Sequence, residues 1–349
     1  MYKKILTIIG ARPQFIKHYP FEVACQGHLE LITVHTGQHY DAKMSAVFFD
    51  QLGMAQPHYQ LSLGGGNHGY QTGRMMQEIE NIALEEKPDS IVVYGDTDST
   101  LAGALVGAKL HIPIVHIEAG LRSYNKSMPE EVNRVLADHI STLLLCPSEV
   151  ATTNLQKEGI TQGVHIIGDL MKDLVMMVKR EDKLILPPID YPFYYVTLHR
   201  PYNVDEKNRL QLVLQTLNDL DNQCIFAIHP RTRITIANFG LQQEDFPNIA
   251  FIDPQPYFEN LGYIAASSGL ITDSGGMQKE AYWLEKQCIT IRSETEWIET
   301  LSNGANHLVF DDLSLIKNLL GIKNISYDNN LYGDGMAAQK IVNLILECK

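Results

Sequence analysis

The sequence predicts an α/β protein with two doubly wound, parallel-sheet domains, and three observations carry this prediction. The chain has 349 residues, more than the roughly 250–300 that one hydrophobic core organises efficiently. Short runs rich in Ile, Val and Leu alternate with longer helical segments, which is typical of βα units around a parallel sheet. Runs such as SIVVYG (90–95) and CIFAIHP (224–230) lack polar alternation, as strands covered on both faces should.

The predicted strands form two series separated by a linker. The first series comprises strands near 4–9, 30–36, 90–94, 113–117, 142–145 and 164–167. The second comprises strands near 193–198, 224–228, 249–252, 269–272 and 288–291. Between them lies the charged, Pro-rich segment 179–192, the best linker candidate. We therefore predict a first domain at 1–168 and a second at 169–332.

Composition excludes several classes of protein. Hydrophobic residues make up 45% and charged residues 20% of the chain, as in globular proteins. The net charge of -13 disfavours nucleic acid and anionic membranes as partners. No run approaches the roughly 20 apolar residues of a membrane-spanning helix, and no signal peptide is apparent. The five scattered cysteines favour reduced thiols and a cytoplasmic location over disulfides or structural zinc.

Clusters of polar residues follow the predicted strands directly. Ligands of open α/β sheets bind at the carboxyl ends of the strands, so we expect both domains to present these clusters to one shared cleft. The clusters are GARP (10–13), TGQH (36–39), GDTD (95–98), EAGLRS (118–123), HR (199–200), HP (229–230) and DSGG (273–276).

Two clusters have the features of phosphate sites. Gly275 and Gly276 follow a strand and begin a helix, so the backbone could approach an anion at the helix N-terminus; Ser274 could equally be an ordinary cap of that helix. Glu280, further along the same helix, could accept hydrogen bonds from a ribose diol or could be an ordinary solvent-exposed residue. Arg12 and Lys17 flank the first helix start and could clamp a diphosphate, although neither a P-loop nor a GxGxxG fingerprint is present.

Carboxylates form the most distinctive set. Asp96, Glu118 and the pair Glu130 and Glu131 follow neighbouring strands, and mutual repulsion in water-poor surroundings would suit them to acid–base chemistry. They could instead be structural, with a glutamate paired to Arg134 at helical spacing and Asp96 capping a helix. The same acids could hold magnesium beside a diphosphate, but no His or Cys spacing supports a metal site, and we predict none.

Together these segments resemble the non-hydrolysing UDP-N-acetylglucosamine 2-epimerase family along nearly the whole chain. The resemblance rests on GARPQFIK (10–17), TGQH (36–39), GDTDST (95–100), HIEAGLRS (116–123), MPEEVNR (128–134), TLHR (197–200), DSGGMQKEA (273–281) and RSETEW (292–297). It implies a GT-B architecture whose C-terminal helix (about 333–349) joins the first domain, a homodimer and no cofactor. The implied reaction inverts C2 of a UDP-N-acetylamino sugar by eliminating UDP to a 2-acetamidoglucal and re-adding it.

The resemblance also implies roles for individual residues. The implied catalytic residues are Asp96, Glu118, Glu131 and His199. The implied substrate ligands are Arg12, Lys17, Arg134, His229, Ser274, Gly275, Gly276, Glu280 and Arg292. Some members are activated by their own substrate, and the corresponding region holds Gln38, His39, Gln71 and Arg74.

Two departures from the family pattern bear on substrate identity. Gln14 replaces the usual Glu, and TEWIE replaces TERPE, placing Trp297 and Ile298 there. Members with such variants act on UDP-2,3-diacetamido uronic acids or on UDP-N-acetylglucosamine, so either substrate fits. Three different functions compete with epimerisation: those of a hydrolysing relative, a GT-B glycosyltransferase and a non-catalytic UDP-sugar sensor.

Overall fold

A computed structural model describes residues 2–38, 49 and 52–348. The chain divides into two compact units, Met1–Met177 with Asn330–Lys349, and Val178–Asn329. Each unit is built on one parallel sheet flanked by helices.

The sheet of the first unit has seven strands in the order β3-β2-β1-β4-β5-β6-β7. Every pairing is parallel, with Thr7 of β1 opposite Thr33 of β2 on one side and Val92 of β4 on the other. The chain order therefore reverses between β1 and β4, which makes this pair the topological switch point of the sheet. The strands are β1 (Lys3–Ile9), β2 (Leu29–His35), β3 (Tyr59–Gln60), β4 (Ser90–Tyr94), β5 (Ile114–Ile117), β6 (Leu143–Cys146) and β7 (Val164–Ile166).

Helices cover this sheet and bury an apolar core against it. Leu6, Ile8 and Val93 of the sheet pack in one cluster with Met75 and Ile79 of a covering helix, all without solvent exposure. The described helices of the unit are Arg12–Cys25, His68–Glu86, Asp98–Leu110, Pro129–Ile140, Glu149–Lys157, Leu170–Arg180 and Ala337–Glu347.

The sheet of the second unit repeats this topology with six parallel strands in the order β10-β9-β8-β11-β12-β13. Its switch point lies between β8 and β11, where Val196 pairs with Ile271. The strands are β8 (Phe193–Thr197), β9 (Gln223–Ala227), β10 (Ile249–Ile252), β11 (Gly269–Thr272), β12 (Cys288–Thr290) and β13 (Asn306–Leu308). The helices are Pro201–Val204, Lys207–Asn218, Pro230–Asn238, Tyr257–Ala266, Gly275–Trp283 and Leu315–Leu320, with 3-10 turns at Gln243–Asp245 and Ile298–Gly304.

The predicted strands are confirmed to within one residue at each end. The prediction missed β3 and β13, which have two and three residues. Both lie at sheet edges. Neither sequence, YQ or NHL, forms the apolar run by which the other strands were recognised.

The boundary between the units lies later than predicted. Residues 169–177, expected in the second domain, belong to the first unit. Lys172 explains this, because its ammonium donates to the carbonyls of Leu331 at 3.1 Å and Gly333 at 2.6 Å. Asp173 accepts from the first two amides of helix Ala337–Glu347, at 3.0 and 2.7 Å. These bonds tie residues 170–177 to the C-terminal segment of the same unit.

Within the described part of the chain, none of the helices has both the length and the apolar character needed to cross a bilayer.

Candidate active site

Gly10 lies where the ends of β1 and β2 meet the helix that follows β4. A Cβ atom at this position would lie 2.2 Å from Thr36 Oγ1 and 2.3 Å from Ser99 Oγ. Such distances are far inside van der Waals contact, so only glycine fits here. Two residues later, Arg12 begins the first helix with an exposed side chain. The predicted diphosphate ligand thus lies at the switch point of the first unit.

Gln14, one of the departures from the family pattern, is buried beneath this turn. Its Oε1 accepts from the amides of Gly10 and Ala11, at 2.7 and 3.1 Å. Its Nε2 donates to the carbonyl of Tyr94 at 2.9 Å. An ionised glutamate could make the first two bonds but could not donate the third. The amide therefore joins the ends of β1 and β4.

Lys17 and Glu118 form a buried ion pair at the same sheet edge. Their side chains are 8% and 10% exposed. Glu118 follows β5 with a left-handed backbone, φ 69°. Gly95 lies beside it with φ 62°, and a Cβ atom there would lie 3.1 Å from Glu118 Oε2. The glycine after β4 thus leaves room for the carboxylate after β5.

Arg134 brings together the other two predicted catalytic carboxylates. Its guanidinium pairs with Asp96, and it donates to Glu131 Oε2 at 3.1 Å. Glu131 also accepts from the amide and hydroxyl of Ser123 at 2.9 and 3.0 Å and from the amide of Tyr124 at 2.8 Å. Glu131 therefore fixes both Arg134 and the loop that follows Glu118. The neighbouring Glu130 is exposed.

The electrostatics of this cluster differ between its members. Burial raises the pKa of Asp96; Arg134 opposes that shift, and the charge of Glu118 adds to it. For Lys17, burial alone would lower the pKa, but the charge of Glu118 and then of Asp169 outweighs it, and the pKa is raised. The cluster therefore contains a firmly protonated ammonium and a carboxyl group shifted towards neutrality, which is a property of acid–base sites.

In the second unit, Asp273 anchors the loop that carries His199. It is fully buried after β11. Its carboxylate accepts from the amides of His199 at 3.1 Å and Arg200 at 2.9 Å, and from Asn203 Nδ2 at 3.1 Å. His199 Nδ1 lies 3.2 Å from Asp273 Oδ1. Asp273 follows β11 and His199 follows β8, so these bonds fix the backbone and the ring of His199 at the switch point between the two strands.

Ser274 and the two predicted glycines begin helix Gly275–Trp283. The Ser274 side chain makes no capping bond, while its amide donates to Thr272 Oγ1 at 3.0 Å. A Cβ atom on Gly275 would lie 3.7 Å from Arg292 Nη1. Arg292 is itself held by both oxygens of Glu296, at 3.0 and 3.2 Å. The structure therefore places Arg292 at this helix start.

The structure also describes two further predicted ligands, His229 and Glu280, and one residue of the possible regulatory set, Gln38. The ring of His229 lies 6.3 Å from that of His199, centroid to centroid, and its Nδ1 accepts from the amide of Arg231. Glu280 is buried rather than exposed to solvent. Gln38 accepts from the amide and hydroxyl of Ser99 at 3.0 and 2.6 Å.

The remaining residues of the possible regulatory set are not joined by any contact described between them. Gln71 is buried and Arg74 exposed, both on helix His68–Glu86. His39 lies outside the described residues. Substrate activation through this region stays a prediction.

Sequence reasoning missed the residues that position the predicted ones. Asp273 opens the motif that contributed Ser274, Gly275 and Gly276, and a buried polar residue directly after a strand was its signal. Trp297 was noticed only as a departure; the structure places the Lys279 ammonium 3.5 Å from its ring centroid. No group of His, Cys, Asp or Glu that could hold a metal is found among the described residues.

Two parallel-sheet α/β units, each with glycines in a turn at its switch point, define a GT-B-like protein. Residues 22–346 match the family model described as UDP-N-acetylglucosamine 2-epimerase. The chain therefore belongs to the UDP-N-acetylglucosamine 2-epimerase family.

Relatives and solved structures agree with this assignment. The chain is 46% identical to UDP-2,3-diacetamido-2,3-dideoxy-D-glucuronate 2-epimerase of Pseudomonas aeruginosa, over 98% of this chain and 99% of the relative. It is 40% identical to UDP-N-acetylglucosamine 2-epimerase of Methanocaldococcus jannaschii, over 98% of each. The structure of Methanocaldococcus jannaschii UDP-GlcNAc 2-epimerase in complex with UDP-GlcNAc and UDP is similar, with a TM-score of 0.86, 37% identity and 100% of both chains covered.

Proposed function

We propose that this protein interconverts the C2 epimers of a UDP-linked 2-acetamido sugar, UDP-GlcNAc and UDP-ManNAc, by eliminating UDP and adding it back. The observation that carries the proposal is the cluster in which Lys17 pairs with Glu118 and Arg134 pairs with Asp96 and Glu131. Family membership supports the reaction class. The non-hydrolysing course is part of the proposal.

In the first half-reaction the C2–H and C1–O bonds break and a C1=C2 double bond forms. One carboxylate takes the C2 proton, and the electron pair of the C1–O bond leaves with UDP. In the second half-reaction an acid delivers a proton to the other face of C2, and the diphosphate oxygen bonds C1 again. The chemistry thus needs one base, one acid and a stabilised diphosphate.

We assign the two proton transfers to Asp96 and Glu118. The raised pKa of Asp96, caused by burial and only partly opposed by Arg134, suits a group that must hold and release a proton near neutrality. Glu118 faces an ammonium that stays charged. Glu131 belongs to the same catalytic set, because its carboxylate holds Arg134, which in turn pairs with Asp96. In the second unit His199, His229, Ser274, Gly275, Gly276, Glu280 and Arg292 are proposed to hold UDP, and Arg12 and Lys17 to stabilise its departing charge.

The test is proton NMR of the protein with UDP-GlcNAc in deuterated water. We expect UDP-ManNAc to appear with deuterium at C2 of both epimers. Free UDP with N-acetylmannosamine would instead indicate hydrolysis, and binding without deuterium uptake would indicate a sensor. Glu131→Gln should abolish exchange, while Glu130→Gln, an exposed neighbour on the same helical turn, serves as the matched control and should retain it.

A second substrate is favoured by one specific observation. The Pseudomonas aeruginosa relative, to which this chain is 46% identical over 98% of its length, is a UDP-2,3-diacetamido-2,3-dideoxy-D-glucuronate 2-epimerase. The same NMR experiment with that sugar gives a ratio of kcat/KM values for the two substrates. A ratio above about tenfold, or about 1.4 kcal/mol of discrimination, would assign the substrate. The homodimer is likewise a proposal, tested by light scattering.

A further inference from the structure

His116 lies on β5, two residues before Glu118, and is fully buried. Its Nε2 lies 2.7 Å from the carbonyl oxygen of Gly95, the residue before Asp96. Its Nδ1 lies 2.7 Å from Asp138 Oδ1. The ring therefore connects the end of β4 to helix Pro129–Ile140.

Both neighbours of this ring are acceptors. A carbonyl oxygen can only accept, and so can an ionised carboxylate. Burial alone would raise the pKa of Asp138, but His116 and then Arg122 outweigh it and the pKa is lowered, which keeps the carboxylate ionised. Each ring nitrogen of His116 thus lies within hydrogen-bond distance of an acceptor, and the ring connects Gly95 to Asp138.

Asp138 extends the connection to the loop that follows Glu118. Its Oδ2 accepts from the amide of Gly120 at 3.1 Å and from Arg122 Nη1 at 2.7 Å. Arg122 in turn donates from Nε and Nη2 to the two oxygens of Glu158, at 2.7 Å each. His116, Asp138 and Arg122 form one buried chain, which we call the buried triad; their side chains are 0%, 0% and 1% exposed.

The contacts of the buried triad fall on the residues that flank the acid–base cluster. Gly95 directly precedes Asp96, Gly120 follows Glu118 by two residues, and Arg122 directly precedes Ser123, which holds Glu131. Gly95 and Glu118 both have positive φ, 62° and 69°. A non-glycine residue in this conformation persists only where its surroundings impose it.

Burying the charges of Asp138 and Arg122 is costly, and an apolar set of similar volume would often be as stable or more so. The contacts of the triad with Gly95, which lies beside Glu118, and with Gly120, two residues after Glu118, are the feature that an apolar set could not reproduce. We propose that His116, Asp138 and Arg122 are positioning residues, which hold the Gly95 carbonyl and the loop after Glu118 so that Asp96 and Glu118 face the sugar. This rests on the function proposed above.

Two substitutions of His116 separate positioning from general stability. The amide nitrogen of Asn lies near the place of Nδ1, so His116→Asn keeps the bond to Asp138 and loses that to Gly95. The longer Gln reaches the place of Nε2, so His116→Gln keeps the bond to Gly95 and loses that to Asp138. Each loses one buried bond, so the two should melt at similar temperatures, and each is the control of the other.

We expect His116→Asn to lower kcat roughly 10- to 100-fold with KM changed less than about threefold, because the reacting groups are displaced and the substrate ligands are not. His116→Gln should retain kcat within about fivefold of the wild type. Amide hydrogen exchange of the peptide 95–100 should accelerate in His116→Asn and not in His116→Gln. In both variants exchange of strand β8, which belongs to the second unit, should stay unchanged.

Equal losses of kcat in the two variants, no loss in either, or a loss without faster exchange at 95–100 would overturn the proposal. If the wild-type protein turns over neither UDP sugar, the proposed function fails, and the exchange difference between the variants still decides the positioning claim.

Should His116→Asn fail to fold, Arg122→Lys replaces it. One ammonium cannot span Asp138 and Glu158, so kcat should fall roughly tenfold with KM retained, and an unchanged kcat would contradict us.

Discussion

Asp273→Asn should detach the loop that carries His199. The substitution keeps the shape of the side chain but replaces one carboxylate oxygen by an NH2 group. That group would face donors: the amide of Arg200 at 2.9 Å, Asn203 Nδ2 at 3.1 Å and the amide of His199 at 3.1 Å. Whichever way the new amide is turned, one or two buried donors lose their acceptor.

The magnitude follows from these bonds. A buried donor left without its acceptor costs about 1–3 kcal/mol, so the loss of one or two acceptors lowers the free energy of unfolding by about 1–6 kcal/mol. Binding of UDP should weaken at least about tenfold, because the His199 ring loses the carboxylate that orients it.

The assay can be made specific to the second unit. The chain has two tryptophans, Trp283 and Trp297, and both lie in that unit. Urea unfolding followed by tryptophan fluorescence, with UDP binding by calorimetry, therefore reports the perturbed region. The matched control is Asp253→Asn, which removes an ion pair with Arg233 on a side chain that is 87% exposed and should cost less than about 1 kcal/mol. Wild-type stability together with wild-type UDP affinity in Asp273→Asn would refute the reasoning.

Three further predictions concern the first unit. Gly95→Ala should lower kcat at least about tenfold in the epimerisation assay, because the new Cβ atom would press on the Glu118 carboxylate. The control is Gly27→Ala, at φ 76° with open space around it. It carries the same backbone strain and should leave kcat unchanged. Lys17→Met should lower the free energy of unfolding by about 3 kcal/mol in urea titration, because the buried Glu118 carboxylate loses its facing ammonium. The double variant with Glu118→Gln should recover most of that loss. Additive losses in the two single variants would contradict the pairing. Burial raises the pKa of Asp173 to about 6, above its ordinary 3.8. The folded state thus binds this proton more tightly, so its contribution of roughly 3 kcal/mol is present below about pH 4 and lost as the pH rises through 6. Unfolding measured across that range should show this loss in the wild type and not in Asp173→Asn, and equal slopes would count against it.

The strands and the residues that follow them were accessible from the sequence because both are local properties. A strand buried on both faces is a run of apolar residues, and its end is marked by the polar or glycine residues that follow it. This is why β4 and β11 were predicted with their observed bounds, and why Asp96 and Ser274 were recognised as residues that follow strands. Two-residue β3 offered no such run.

The residues that hold the site in place were not accessible in the same way. Nothing local to His116 distinguishes a ring that donates to Gly95 from an ordinary core histidine, because its partners lie 21 and 22 positions away. The same holds for Gln14, whose side-chain amide donates to the carbonyl of Tyr94, 80 positions away. The unit boundary was placed too early for this reason, since the carbonyls that bind Lys172 are 159 and 161 positions distant.

By itself, the sequence determined the kinds of groups available: apolar runs that must pair as parallel strands, and carboxylates, cations and glycines placed at their ends. The tertiary structure alone decided which of these groups meet. Pairing Lys17 with Glu118 and Arg134 with Asp96 depends on the strand order of the sheet, which brings β1, β4 and β5 side by side. Charge, hydrogen bonding and pKa depend on distances of a few ångströms, and residues far apart in the chain reach such distances only when the sheet has formed.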